Sequence, residues 1–136
     1  MLFNKHQLIS QIRSGALVKL IPSSIVGAGV GVEAITEIDK DEVVFAPKDT
    51  HFVRWSELLS VESDVINYIK KICNNNEYGF WIDCYINDIG AAYFVNHSDE
   101  PNLIHDRERD IYYAAKKIEI GEELTCKYSL DEIDWV

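Results

Sequence analysis

The sequence predicts a mainly β domain that carries a helical insert. Short runs rich in β-branched and aromatic residues recur between turn signals. One stretch, Trp55 to Cys73, instead spaces its apolar residues for a helix. The chain has 136 residues, 47% hydrophobic and 26% charged, which suits one domain able to bury its own core.

Each element follows from local pattern. Leu8, Ile9 and Ile12 fall at helical spacing and predict a short helix over about Asn4 to Ser14, stopped by Gly15. Leu17-Val18-Lys19-Leu20-Ile21 predicts a strand, broken by Pro22-Ser23-Ser24. Val32-Glu33-Ala34-Ile35 predicts a second strand. Asp39-Lys40-Asp41 predicts a turn into a third strand, Glu42 to Ala46. Leu58, Leu59, Val65, Ile66, Ile69 and Ile72 suit one helical face, with a break expected around Val61 to Asp64 and an end at Asn74-Asn75-Asn76. Further short strands are expected at Phe80-Trp81-Ile82, at Ile111 to Ala115 and at Glu123 to Lys127. No internal repeat or linker stands out. The expected organisation is a single domain over residues 1–136, with a helical extension at 1–15, the insert at about 55–78 and a tail at 129–136.

Charge and cysteines narrow the function classes. The formal net charge is −10, so direct binding to duplex nucleic acid is not expected, because phosphate contacts need a basic surface. An acidic face suits a basic partner, and it also simply keeps a small protein in solution. No apolar run approaches a bilayer span, and the first residues lack the h-region of a secretory signal. Neither a membrane role nor export is expected. Cys73, Cys84 and Cys126 are widely spaced, with no CxxC. They predict no disulfide framework and no metal site, and the cytosol is the natural compartment.

Three stretches carry candidate chemistry. Gly27-Ala28-Gly29-Val30-Gly31 allows sharp turning and close approach to a ligand; alone, it also fits a plain tight turn. It lacks the dinucleotide spacing and the P-loop lysine. Asn96-His97-Ser98, behind the apolar Tyr93-Phe94-Val95, offers donors and acceptors for a polar ligand such as a purine; a structural Asx-turn is the competing reading, and Asn102 after Pro101 reads as turn chemistry. Gly121 leads into a strand that ends at Tyr128, whose hydroxyl could orient an amine or could belong to a core tyrosine.

Together these stretches resemble the SET-domain family of protein lysine methyltransferases. Gly31-Val32-Glu33-Ala34 resembles the end of its Gly-x-Gly motif. Trp81-Ile82-Asp83-Cys84 is similar to its Tyr-Ile-Asp-Ala stretch. Phe94-Val95-Asn96-His97-Ser98-x-x-Pro101-Asn102 resembles its Arg-Phe-x-Asn-His-Ser-Cys-x-Pro-Asn motif, and Gly121-Glu122-Glu123-Leu124-Thr125-x-x-Tyr128 its Gly-Glu-Glu-Leu-Thr-x-x-Tyr. The likeness runs from about Leu17 to Tyr128, and by size the chain looks like the minimal viral and bacterial members.

The resemblance implies a β-clip of small curled sheets with a C-terminal pseudoknot. It implies S-adenosylmethionine as cofactor, with S-adenosylhomocysteine as product. Gly29, Val30 and Gly31 would hold the methionine end, and Asn96 and His97 the amine and adenine. Tyr128 would be the catalytic tyrosine. His105, Cys126 and Trp135 would line the substrate channel, Trp135 as an aromatic lid on the tail. The partner would be a basic protein or peptide with a target lysine, a histone among them, in the cytoplasm or, in a eukaryotic cell, the nucleus. A homodimer is also compatible. No metal is expected, because no CxCxxxxC tail follows Tyr128. Asp99 stands in place of a common cysteine, and Tyr93 in place of the motif's arginine. Cys126 sits where many members carry the Phe or Tyr that limits methylation, which leaves multiplicity open. The other readings are a silent SET module that binds a basic partner and a small-molecule methyltransferase.

Overall fold

The computed structural model describes residues 4–15, 17–46, 49–109 and 111–128. The described residues pack as two compact units, one of residues 4–46 with 94–128, the other of residues 49–93.

The first unit opens with α1 (Lys5–Ser14). Asn4 caps it: its side chain accepts from the Gln7 N–H at 2.8 Å, while the Gln7 side chain accepts from the Asn4 N–H. Leu8, Ile9 and Ile12 stay exposed. β1 (Val18–Pro22) and β2 (Val30–Ala34) then form an antiparallel hairpin with Leu20 opposite Val32. Gly27 and Gly29 occupy the turn at φ +81° and +75°, backbone that L side chains rarely adopt. The Ser23 N–H closes the loop on the Gly29 carbonyl at 2.7 Å. β3 (Val43–Phe45) follows.

The second unit pairs β4 (His51–Arg54) with β5 (Gly79–Ile82). Between them lie a 3-10 turn at Trp55–Leu58 and α2 (Ser63–Ile72), so the expected helix is real but broken before Ser63. Ile69, Cys73 and Phe80 form the core, packed by Trp55, Leu58 and Tyr93 among others. Burial pushes the Cys73 thiol up to about 11, with Cys84 and Asp83 adding to it, so it stays protonated. Tyr93, in place of the motif's arginine, donates its hydroxyl to Asp83 at 2.5 Å and accepts the Asp83 N–H at 3.1 Å. That ties the end of β5 to the chain leaving the unit.

The chain re-enters the first unit at Phe94. β6 (Asn96–His97), β7 (Leu103–Asp106), β8 (Ile111–Ala114) and β9 (Thr125–Cys126) follow. β8 is the central strand of an antiparallel β3-β8-β7 sheet. β6 and β9 instead run parallel, Asn96 opposite Thr125 and His97 opposite Cys126. Residues 121–124 run along the other edge of β2, with Gly121 N–H to Ala34 O at 2.9 Å and Leu124 N–H to Val32 O at 2.7 Å. Val32, Ala34, Ile38, Leu103, Ala114, Ile118 and Leu124 lie between these sheets, none more than 1% exposed. The architecture is the mainly β fold of small sheets that the sequence predicts.

One internal repeat emerges that sequence identity hides. Ile38 and Ile118 exchange both backbone bonds, at 2.9 and 2.8 Å. Each opens the same turn: Glu42 N–H bonds Asp39 O and Glu122 N–H bonds Glu119 O, both at 3.1 Å. The third residue of each hydrogen-bonded turn takes a left-handed conformation, Asp41 at φ 71° and Gly121 at φ 90°. Only Asp41 meets a steric penalty there. Asp41→Gly is therefore expected to stabilise the fold by about 0.5–1 kcal/mol. A urea midpoint unchanged or lowered would mean that the Asp41 side chain contributes more than its backbone costs.

Candidate active site

The site grows from a few short elements of the first unit. The Asn96 Nδ2 group donates to the Val30 carbonyl at 2.9 Å and to Glu123 Oε2 at 3.1 Å. One side chain thus joins the glycine-loop strand to the segment entering β9. Glu123 is a hub. Its carboxylate accepts from Ser23 Oγ at 2.9 and 3.0 Å, and from the Ser24 N–H at 3.2 Å. Burial raises the Glu123 carboxyl, but the bonds from Asn96, Ser23 and Ser24 outweigh it and hold its pKa below the usual range. The stability this adds is complete above the unfolded carboxylate pKa and is lost as pH falls through the depressed folded value. Gly31 is what lets Glu123 lie there, since a Cβ would come within 2.7 Å of its Oε2.

Asn102 locks the same segment from inside the fold. It is 6% exposed. Its Oδ1 accepts from the Thr125 N–H at 2.8 Å and its Nδ2 donates to the Glu123 carbonyl at 2.9 Å. Both amide functions are satisfied, as a buried polar group requires. Beside the turn role read from the sequence, Asn102 thus clamps the segment that enters β9.

His97 closes the junction further on. Its Nδ1 accepts from the Tyr128 N–H at 2.9 Å, and its Nε2 lies 3.1 Å from Asp99 Oδ1. The ring is therefore the Nε2–H tautomer, donating to Asp99. Both ring nitrogens serve the protein itself. The Tyr128 hydroxyl donates to the Val95 carbonyl at 2.6 Å. Burial raises its pKa, with Cys126 adding to the rise, so it is a neutral phenol whose oxygen lone pairs remain to accept.

The structure thus gathers Val30, Gly31, Asn96, His97, Cys126 and Tyr128 around the β6–β9 ladder and the hairpin strand beside it. Cys126 is buried in β9. Gly29 sits where the loop closes just before β2, and an added Cβ there would meet nothing within 4 Å, so its backbone is open to close approach. His105 lies in β7, its ring stacked on Tyr112 at 4.3 Å. Trp135 lies outside the described residues. Ser23, Glu123 and the clamp role of Asn102 escaped the sequence reading. Ser23 looked like a strand breaker, and Glu123 was one letter of a motif.

These features define a class before any comparison. A glycine hairpin, an amide anchored to it and a tyrosine converge on a parallel two-strand junction in a mainly β fold. The family profile described as SET domain matches residues 29–129, and the chain belongs to the SET-domain family. Among solved structures, it is similar to Polycomb Repressive Complex 2 of Chaetomium thermophilum in an autoinhibited conformation bound to S-adenosylmethionine. The identity is 22%, with TM-score 0.59, over 88% of this chain and 16% of that one. The apo autoinhibited form of that complex matches at 21% identity and TM-score 0.60, again over 88% and 16%. A candidate histone methyltransferase of Plasmodium falciparum matches at 20% identity and TM-score 0.53, over 86% of this chain and 96% of that one. The chain thus spans about a sixth of the Polycomb chains, and at these identities the likeness is one of fold. No curated protein matches it significantly.

Proposed function

We propose that this chain transfers a methyl group from S-adenosylmethionine to the ε-amine of a lysine in a basic protein, histones among the candidates. The observation that carries the reading is the Tyr128 hydroxyl. Its proton is committed to the Val95 carbonyl, which leaves its oxygen lone pairs to act as an acceptor. An acceptor there holds an incoming amine by its N–H and points the nitrogen lone pair elsewhere.

The cofactor's groups suit the residues present. The open backbone at Gly29 leaves room for close approach. Asn96, with both amide hydrogens committed, offers its Oδ1 to an ammonium group. When bound, the cofactor supplies an electrophilic methyl on a sulfonium. Tyr128 then has two tasks: to align the lysine amine with that methyl and to lie against the positive charge that develops on nitrogen. The amine must arrive neutral, and a cation close by favours that form. The ring of His97, bonded on both sides, fixes the Tyr128 backbone, which leaves the His97 backbone and ring face for the adenine. The net charge of −10 favours basic substrates by steering.

Two measurements test the reading. Labelled S-adenosylmethionine incubated with histones and other basic proteins should place label on lysine; tight cofactor binding with no transfer across the panel would favour a silent binding module. Calorimetry should show S-adenosylhomocysteine binding that Asn96→Ala weakens about 10-fold or more, the value of a hydrogen bond to a charged group. An unchanged Kd in folded Asn96→Ala would remove Asn96 from the cofactor site.

A further inference from the structure

We propose that Glu123 sets the amide orientation of Asn96, and thereby makes the cofactor site select a ligand bearing a cationic amine. The inference rests on the S-adenosylmethionine reading above and deepens it, since it concerns a residue that need not touch the ligand at all.

An asparagine amide can face two ways, presenting either two donors or one acceptor. In this fold the choice is made by what lies behind it. Nδ2 points at two oxygens, Val30 O at 2.9 Å and Glu123 Oε2 at 3.1 Å. Flipping the amide would turn Oδ1 toward those same oxygens, acceptor against acceptor. Val30 O belongs to any backbone; Glu123 is the part the sequence chose. As a carboxylate it has no donor to offer, so it tolerates only the NH₂ side of Asn96.

The carboxylate is itself held. Ser23 Oγ reaches both oxygens, and Ser24 adds its N–H at 3.2 Å and its Oγ at 3.4 Å. Gly31 leaves the space beneath. Hydrogen bonding that lowers the Glu123 pKa keeps it acceptor-only through neutral pH. Glu123 is thus a positioning residue acting through Asn96, with Oδ1 left outward as an acceptor. An outward acceptor suits an ammonium and repels an anion.

Glu123→Gln separates this role from simple bracing. The side chains are nearly isosteric, but Gln can turn an NH₂ toward Asn96, so that only the Val30 carbonyl still opposes the flip. Ser23→Ala removes a bond to the same carboxylate and leaves the Asn96 contact intact. In the free protein, the Asn96 side-chain NH₂ resonances should move in Glu123→Gln and stay near wild type in Ser23→Ala. Calorimetry should use S-adenosylhomocysteine beside its analogue lacking the α-amine. Wild type and Ser23→Ala should prefer the amine by about 10-fold or more, and Glu123→Gln should cut that preference to within about 3-fold. Unmoved Asn96 resonances, or an amine preference that survives in Glu123→Gln, would overturn the proposal. Equal loss of preference in Ser23→Ala would reduce Glu123 to a brace and overturn it as well. If wild type binds neither ligand, the cofactor reading itself fails; selection for the amine falls with it, and the resonances alone then decide whether Glu123 orients Asn96.

Discussion

Replacing Tyr128 by Phe is expected to lower lysine methylation about 100-fold or more per folded molecule, with cofactor affinity near wild type. The ring is retained, and so is the bond from its backbone N–H to His97 Nδ1. Only one oxygen is lost. That oxygen ties the ring to the Val95 carbonyl at 2.6 Å, so a stability cost of about 1 kcal/mol is expected from the orphaned carbonyl. Methyl transfer is an in-line displacement, and its rate depends steeply on the angle at the attacking nitrogen. A tyrosine that merely packs predicts the reverse: slightly lower stability and unchanged turnover. Single-turnover rates at saturating cofactor, measured beside a melting curve, separate the two. Full activity in the Phe variant would take Tyr128 out of the chemistry.

Gly79→Ala is expected to destabilise the second unit by about 3–5 kcal/mol. Gly79 starts β5 opposite Arg54. An added Cβ would overlap the Val53 carbonyl and crowd Arg54 Cα and the Phe52 ring. Two of the three obstacles are backbone, which cannot swing aside as a side-chain tip can. The strands would have to part, and with them the seat of Phe80, one of the buried residues of that core. Gly90 makes the control: a Cβ there meets nothing within 4 Å, so Gly90→Ala should stay within about 0.5 kcal/mol of wild type. A urea midpoint for Gly79→Ala equal to that of Gly90→Ala would show that the strands relax around the methyl.

What the sequence made legible was whatever repeats locally. β1, β2 and β8 are runs of apolar and β-branched residues and were found within a residue or two; α2 shows a helical face but occupies only Ser63–Ile72 of the stretch from Trp55 to Cys73. β6 was not found, because a two-residue ladder leaves no period to read. The final strand, expected over Glu123 to Lys127, shrinks to Thr125–Cys126, since Glu123 pairs with β2 instead. β7 was hidden behind the Pro101-Asn102 turn. Within the site, residue types were legible and partnerships were not. His97 was read as a ligand group, and its ring nitrogens also bond Tyr128 and Asp99, partnerships the sequence did not reveal. Nothing near Glu123 in sequence hints at Ser23, its partner across 100 positions.

That last separation has a consequence for biosynthesis. The bonds that assemble the site join Ser23 to Glu123 and Val30 to Asn96, 100 and 66 positions apart. Until Glu123 has left the ribosome, the glycine loop has no carboxylate to settle on, and Asn96 has nothing to choose its face. Such distant closures come late and slowly in folding. A nascent chain can therefore carry the glycine loop and Asn96 before it carries the residue that joins them. A chain cut short of residue 123 lacks the carboxylate to which Ser23, Ser24 and Asn96 all bond.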